Sequence, residues 1–305
     1  MPQEVKHRIY EFTLGGQLIH LLQNTANNTH SHEEDIPLSH RTCRATLTEA
    51  EAQANQDNAN PFEQVSISDD DDELEDVWNV DANQDRHVDC YPDTKQSKDV
   101  RRRHQLNLSL LRVCRQIFNE AKGMQYAKNT FVFNCSFVME RFIRYRVQCN
   151  QHLLIRSIFM DIGLDHPATL KGWATVINKF VLKKLRDLTS LHVGLEQTFC
   201  ECWIRDCVYS KVENVDLYRK IERLGKLNLK EVTVVVCDDH LLEDRRDIGG
   251  WAGIEQLYRW TLAEKMVFAR EMRKVLLAKK ENVKEEATTD EAMKKEVEKK
   301  EDEET

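Results

Sequence analysis

Residues 108–133 read LSLLRVCRQIFNEAKGMQYAKNTFVF, and this stretch decides the fold. Leu110, Val113, Cys114, Ile117, Phe118, Ala121 and Met124 recur at three- and four-residue steps, the stripe of an amphipathic helix. Asn129-Thr130 is a turn signal, and Phe131-Val132-Phe133 is a β-branched and aromatic run. The spacing therefore predicts a helix that delivers the chain straight into a strand.

That rhythm repeats downstream. A helix opening at Ser136 carries Phe137, Phe142, Ile143 and Val147, and a strand follows over 155–162. Thr169 caps a helix with Leu170, Trp173, Ile177, Phe180, Val181 and Leu185, followed by a strand over 190–195. A further helix with Val215, Tyr218, Ile221 and Leu224 closes at Gly225, before the strand EVTVVV at 231–236. Strands separated by helices lie parallel with right-handed crossovers. The expected fold class is α/β, with helix–strand repeat units forming a mostly parallel sheet. The Leu185, Leu188, Leu191 and Val193 spacing gives it an irregular, leucine-rich-repeat-like character.

Working outward, residues 1–22 form an opening helix and strand. Val5, Ile9 and Phe12 share one helical face, Pro2 suits a first turn, and Gly15-Gly16 ends the helix before a strand at 17–22. The Val5–Ile9–Phe12 face is a candidate interaction surface. Residues 23–105 are polar and poor in aliphatics, so they are expected to form a disordered acidic insertion, with a short strand at 41–47. The acidic run Asp69–Asp76 lies within it, beside Ser66 and Ser68 as candidate phosphorylation sites and Trp78 as a docking aromatic. The α/β core spans 106–280 and ends in a long helix over 254–280. A charged Lys/Glu tail follows at 281–305.

The 305 residues carry a formal net charge of −8, which disfavours nucleic acid as a partner. Nine cysteines with no amino-terminal apolar run indicate reduced thiols and a soluble cytoplasmic or nuclear protein with no membrane segment.

Two motifs together resemble a known family. MPQEVKHRIYEFTLGG is similar to the opening of fungal F-box-like proteins. LLRVCRQIFNEAKGMQYAKNTFVF resembles their second landmark through Leu110, Leu111, Cys114, Arg115, Gln116, Ile117, Glu120, Ala121, Asn129, Thr130 and Phe131. The resemblance implies an uncharacterised domain acting in protein–protein interaction. An F-box-like substrate-recognition adaptor that binds a ubiquitin-ligase scaffold is its sharper form.

Candidate sites are few. Cys200, Cys202 and Cys207, with His192 close in sequence, depart from the paired C-x-x-C steps of zinc sites and read as free thiols. His20 and His192, inside strand patterns, read as packed or edge histidines. If the strands are parallel, their carboxyl ends carry a polar rim of Asp161, Asp165, His166, Glu196, Asp238, Asp239 and His240. A small-molecule or metal-dependent enzyme using that rim is the competing function. Polar loops after strands are the plainer account of it. No nucleophile elbow, phosphate loop or metalloprotease motif is present, so no catalytic residue, metal or cofactor is expected.

Overall fold

The computed structural model describes residues 2–23, 38–43, 45, 47–59, 87, 90, 108–148, 150–163, 167–197, 216–238 and 262–278. Six strands form one sheet: β1 Leu18–Gln23, β2 Leu38–Thr42, β3 Thr130–Phe133, β4 Ser157–Gly163, β5 Ser190–Gln197 and β6 Glu231–Asp238. Their spatial order is β2-β1-β3-β4-β5-β6. β1 and β3 through β6 pair parallel, and β2 adds antiparallel to the outer side of β1. The four downstream strands lie side by side in one direction, as the sequence rhythm predicts.

Alternation along these strands divides the side chains between two faces. One face turns Ile19, Leu21, Phe131, Phe133, Ile158, Met160, Leu191, Val193, Val234 and Val236 into the main core. The helices cover this face: α5 Ser136–Arg141, α6 Pro167–Val176, α7 Lys179–Lys184, α8 Asp216–Ile221 and α9 Leu262–Leu277. They contribute Met139, Trp173, Val181, Ile221 and Met272 to the same cluster. The opposite face holds His20, Val132, Phe159, His192 and Val235, and all of these are buried as well. A sheet with both faces covered explains why its strands read as near-continuous apolar runs.

The opening helix α1 spans Gln3–Leu14, and its turn into β1 requires the double glycine. Gly16 takes φ +70°, and a Cβ on Gly15 would sit 2.7 Å from Lys128 Cβ. Asn129 then fastens this corner. Its Oδ1 accepts from Gln17 N at 2.9 Å, and its Nδ2 donates to Leu14 O at 2.6 Å and Gln125 O at 2.9 Å. One buried amide thus satisfies the end of α1, the entry to β1 and a carbonyl of the helix just before β3.

The structure revises several expectations. The single amphipathic helix over 108–124 is instead a 3₁₀ turn at Leu108–Arg112, then α3 Arg115–Ala121 and α4 Met124–Ala127. Cys114 adopts extended angles (φ −158°, ψ 163°) and breaks the run. Val113 and Phe118 consequently stay exposed, while Leu110, Ile117 and Met124 pack on a small cluster of Tyr10, Leu14 and Ala121. The helix expected from Thr169 to Leu185 divides at Asn178, whose side chain caps α7 by accepting from Phe180 N and Val181 N.

Within 23–105, expected to be disordered, β2 forms at 38–42 rather than at 41–47, and α2 forms over Glu49–Asn58. Thr48 and Glu51 cap α2 reciprocally, with Glu51 N donating to Thr48 Oγ1 at 3.2 Å and Thr48 N donating to Glu51 Oε2 at 2.7 Å. The acidic run, Ser66, Ser68, Trp78 and the tail over 281–305 lie outside the described residues. Among the described residues no helix is long and apolar enough to cross a membrane.

Candidate metal centre

β1 and β2 build the first half of this centre through their register. His20 stands opposite Arg41 on the face turned away from the main helices. The pairing continues one residue past β2, where Cys43 N donates to Leu18 O at 2.7 Å. Strand alternation puts Cys43 on the same face as Arg41 and hence beside His20.

The second half comes from His87 and Cys90, three positions apart. Cys90 N donates to His87 O at 2.8 Å. The His87 ring packs on Phe159 of β4 at 5.3 Å and edge-on to His20 at 5.0 Å. His20 and Cys90 are buried almost completely and Cys43 partly.

The potential ligand atoms of His20, Cys43, His87 and Cys90 all lie within 4.8 Å of one another. Cys43 Sγ is 3.6 Å from Cys90 Sγ and 3.4 Å from His87 Nδ1. Tetrahedral zinc with ordinary bond lengths would separate two sulfurs by about 3.8 Å, and a sulfur and a nitrogen by about 3.6 Å. A disulfide would need the sulfurs at about 2.05 Å. Both separations are close to the edges of a metal tetrahedron, and neither cysteine is in a disulfide.

The surroundings suit such a centre. His87 turns Nδ1 toward Cys43, and Glu49 Oε1 lies 3.3 Å from its Nε2, which sets a carboxylate beside the ring. Ala45 N donates to Cys43 Sγ at 3.2 Å, and buried Arg41 donates from Nη1 to Cys90 O at 3.3 Å. The Cys90 thiol is held well below the usual thiol range, first by its hydrogen bond with Cys43 and then, against the cost of burial, by His20 and His87. The same sulfur contact, and burial after it, push the Cys43 thiol up. A soft divalent cation held here would take both sulfurs as thiolates.

Of the polar rim, Asp161, Glu196 and Asp238 lie among the described residues. Asp161 is level with Gly194, and Gly194 with Val235, so Asp238 stands three register positions beyond Asp161 and two strands away. At ordinary strand dimensions each offset is about 10 Å. Glu196 lies on β5 level with Gly163. Asp165, His166, Asp239 and His240 lie outside the described residues, as do Cys200, Cys202 and Cys207. His192 is buried and bonded through Nδ1 to Thr233 Oγ1 at 2.9 Å, a packed strand histidine. On the helix-covered face, a cavity of about 120 Å³ is lined by Ile19, Leu21, Leu108, Tyr126, Phe131 and His40. Burial lowers the pKa of His40, which favours its neutral form.

His20 is thus more than the packed strand histidine its pattern suggests. The sequence signal for the centre is His87-x-x-Cys90, a single short-range pair whose two partners come from the β1–β2 register.

Fold and cluster together define a mixed α/β protein with a mainly parallel six-stranded sheet and a candidate two-cysteine, two-histidine metal centre. A family model described as "Domain of unknown function (DUF7730)" matches residues 1–233, and the chain belongs to that family. The match includes all four donors and leaves α9 outside. No curated protein and no solved structure matches the chain.

Proposed function

We propose that this chain is a protein-interaction module whose polar insertion is fastened to the sheet by a structural zinc ion at His20, Cys43, His87 and Cys90. The observation that carries this reading is four protein donors within 4.8 Å of one another, with the Cys43–Cys90 and Cys43–His87 separations close to tetrahedral edges. Catalytic zinc keeps a position open for water, whereas four side chains close the shell. Two thiolates and two imidazoles favour zinc over magnesium or calcium. The insertion has few apolar residues to bury, and a structural zinc contributes roughly 10–16 kcal/mol of binding free energy in small zinc peptides. That is enough to order a segment that packing alone would not.

The test is elemental analysis of the protein purified without a metal-chelating tag. One zinc per chain is expected, falling to none in Cys43→Ser/Cys90→Ser. Wild-type protein that carries no metal, and whose melting temperature ignores added zinc, sinks the reading.

The interaction half rests on α1. Tyr10 and Leu14 face inward, while Val5, Ile9 and Phe12 form an exposed ridge, with Phe12 at 88% exposure. An apolar ridge on a fixed helix suits a partner's groove. The F-box-like resemblance of this opening, within the fungal group, makes a ubiquitin-ligase scaffold the sharper candidate. Successive parallel strands support the repeat-like reading in which strand ends offer a recognition surface, and cysteines outside disulfides suit a cytoplasmic or nuclear setting. Capture of the scaffold by wild-type protein but not by Phe12→Asp would support the adaptor. Equal capture by both would remove it. The separation of Asp161 from Asp238 leaves the enzyme alternative with less support.

A further inference from the structure

α2 does at the edge of β6 what a seventh strand would do. Among the described residues β6 is the last strand of the sheet. Gln56 donates from Nε2 to Val236 O at 2.7 Å and accepts at Oε1 from Val236 N at 3.3 Å. Gln53 Oε1 accepts from Val234 N at 2.6 Å. A glutamine amide is chemically a peptide group. Two of them, three residues apart on one helix, therefore meet alternate residues of the edge as a neighbouring backbone would. Both glutamines are buried.

The same helix is tied at each end. Its first residue, Glu49, meets His87 of the metal centre at 3.3 Å. Near its last turn Asp57 takes a forked contact from Arg273 of α9, at 2.7 and 2.8 Å. The strand beneath needs such cover. Between its terminal acids, Glu231 and Asp238, it reads VTVVVC, with none of the proline or lysine that blunts exposed edges.

We infer that the β6 edge is a self-association surface masked by α2, and that the metal centre controls the mask. The occupant is β6 of a second copy. Two identical edges related by a two-fold axis pair antiparallel, and the valine run presents the same backbone donors and acceptors to each. Loss of the cation releases Glu49's partner His87 from its place, α2 loses its tie at that end, and the edge amides open. This release step rests on the zinc reading; the masked edge does not.

The experiment uses the full chain in two arms. In the first, Gln53→Met/Gln56→Met keeps side-chain length and apolar bulk while removing the amides. Expected are one zinc per chain, fast hydrogen exchange at the Val234 and Val236 amides below the association concentration, and a shift from monomer to dimer in sedimentation. In the second, wild-type protein stripped with a chelator shifts to dimer and returns to monomer when zinc is restored. A double variant whose edge amides remain as protected as wild type, or which stays monomeric, overturns the masked edge. A stripped protein that stays monomeric overturns the control by metal. Wild type that never binds zinc overturns the site reading instead, and the first arm alone then decides the edge.

Discussion

Glu49 Oε1 lies 3.3 Å from His87 Nε2, while the other nitrogen of that ring faces Cys43 Sγ at 3.4 Å. One imidazole is therefore held between a carboxylate and a candidate metal position. A carboxylate that accepts from the second ring nitrogen of a metal-bound histidine fixes its tautomer and raises the basicity of the nitrogen that binds. Glu49→Gln should keep the fold and weaken zinc affinity roughly 10–100-fold, the usual effect of removing such a partner. Competition with a chromogenic chelator reads this directly. An affinity unchanged by the substitution would mean that Glu49 only packs against the ring.

Acid should empty the centre, because each ligand must be deprotonated to bind. Zinc release followed as pH falls should track proton binding by the ligands, and so lie on the acid side of neutrality. The zinc-dependent rise in melting temperature should vanish over the same range. Cys114→Ser is the matched control, since it removes an exposed thiol outside the cluster and should leave the release curve where it was.

The sheet was legible because its strands are β-branched, apolar and separated by periodic helices, so Phe131, Ile158, Leu191 and Val232 announce the buried layer. The corner at Gly15-Gly16 was legible too, since only glycine takes φ +70° without penalty. The breaks at Cys114 and Asn178 were not, because each is a cap that overrides a stripe continuing through it. The candidate metal centre was hidden for a different reason. Proximity along the chain is the only proximity a sequence displays, so spacing draws attention to Cys200, Cys202 and Cys207. His20 and Cys43 meet only through an antiparallel register with β2, a strand whose LSHRT carries little β signal.

Asn129 offers a stability test independent of metal. Its amide nitrogen donates to Leu14 O and Gln125 O, and its oxygen accepts from Gln17 N. Asn129→Asp preserves the acceptor and replaces both donations with a buried negative oxygen facing carbonyls. Leaving buried polar groups unmatched costs about 1–3 kcal/mol each, more with charge. Chemical denaturation should show a loss of at least that size with an unchanged slope. A loss below about 0.5 kcal/mol, the scale of surface substitutions, would show that water replaces the amide.

The two sides of α1 should respond oppositely. Leu14 is 0% exposed and Phe12 88% exposed, two residues apart on the same helix. Leu14→Ala removes buried methyl groups and should cost about 2–5 kcal/mol. Phe12→Asp should stay within about 0.5 kcal/mol of wild type, yet abolish any binding made through the ridge. Urea melts of both variants, beside one binding assay, separate folding from docking. A Phe12→Asp protein that melts as early as Leu14→Ala would mean the ridge is covered in the folded chain.

The contact of Tyr10 with Glu120 ties α1 to α3 and sets a pH dependence. Tyr10 Oη donates to Glu120 Oε2 at 2.9 Å, and Gln116 Nε2 donates to Oε1 at 2.8 Å. The Gln116 amide first, and the Tyr10 hydroxyl next, hold the Glu120 carboxyl below its ordinary range. A carboxylate whose pKa is depressed by folding stabilises the fold above its unfolded value, and that contribution disappears as pH falls through the folded value. Tyr10→Phe removes one donor, so its deficit relative to wild type should be full near neutral pH and should shrink once pH drops below the ordinary glutamate value of about 4.3. Paired urea melts across that range measure the deficit. A deficit that stays constant down to the most acidic point would assign the role of Tyr10 to packing against Leu14 and Ala121 rather than to the hydrogen bond.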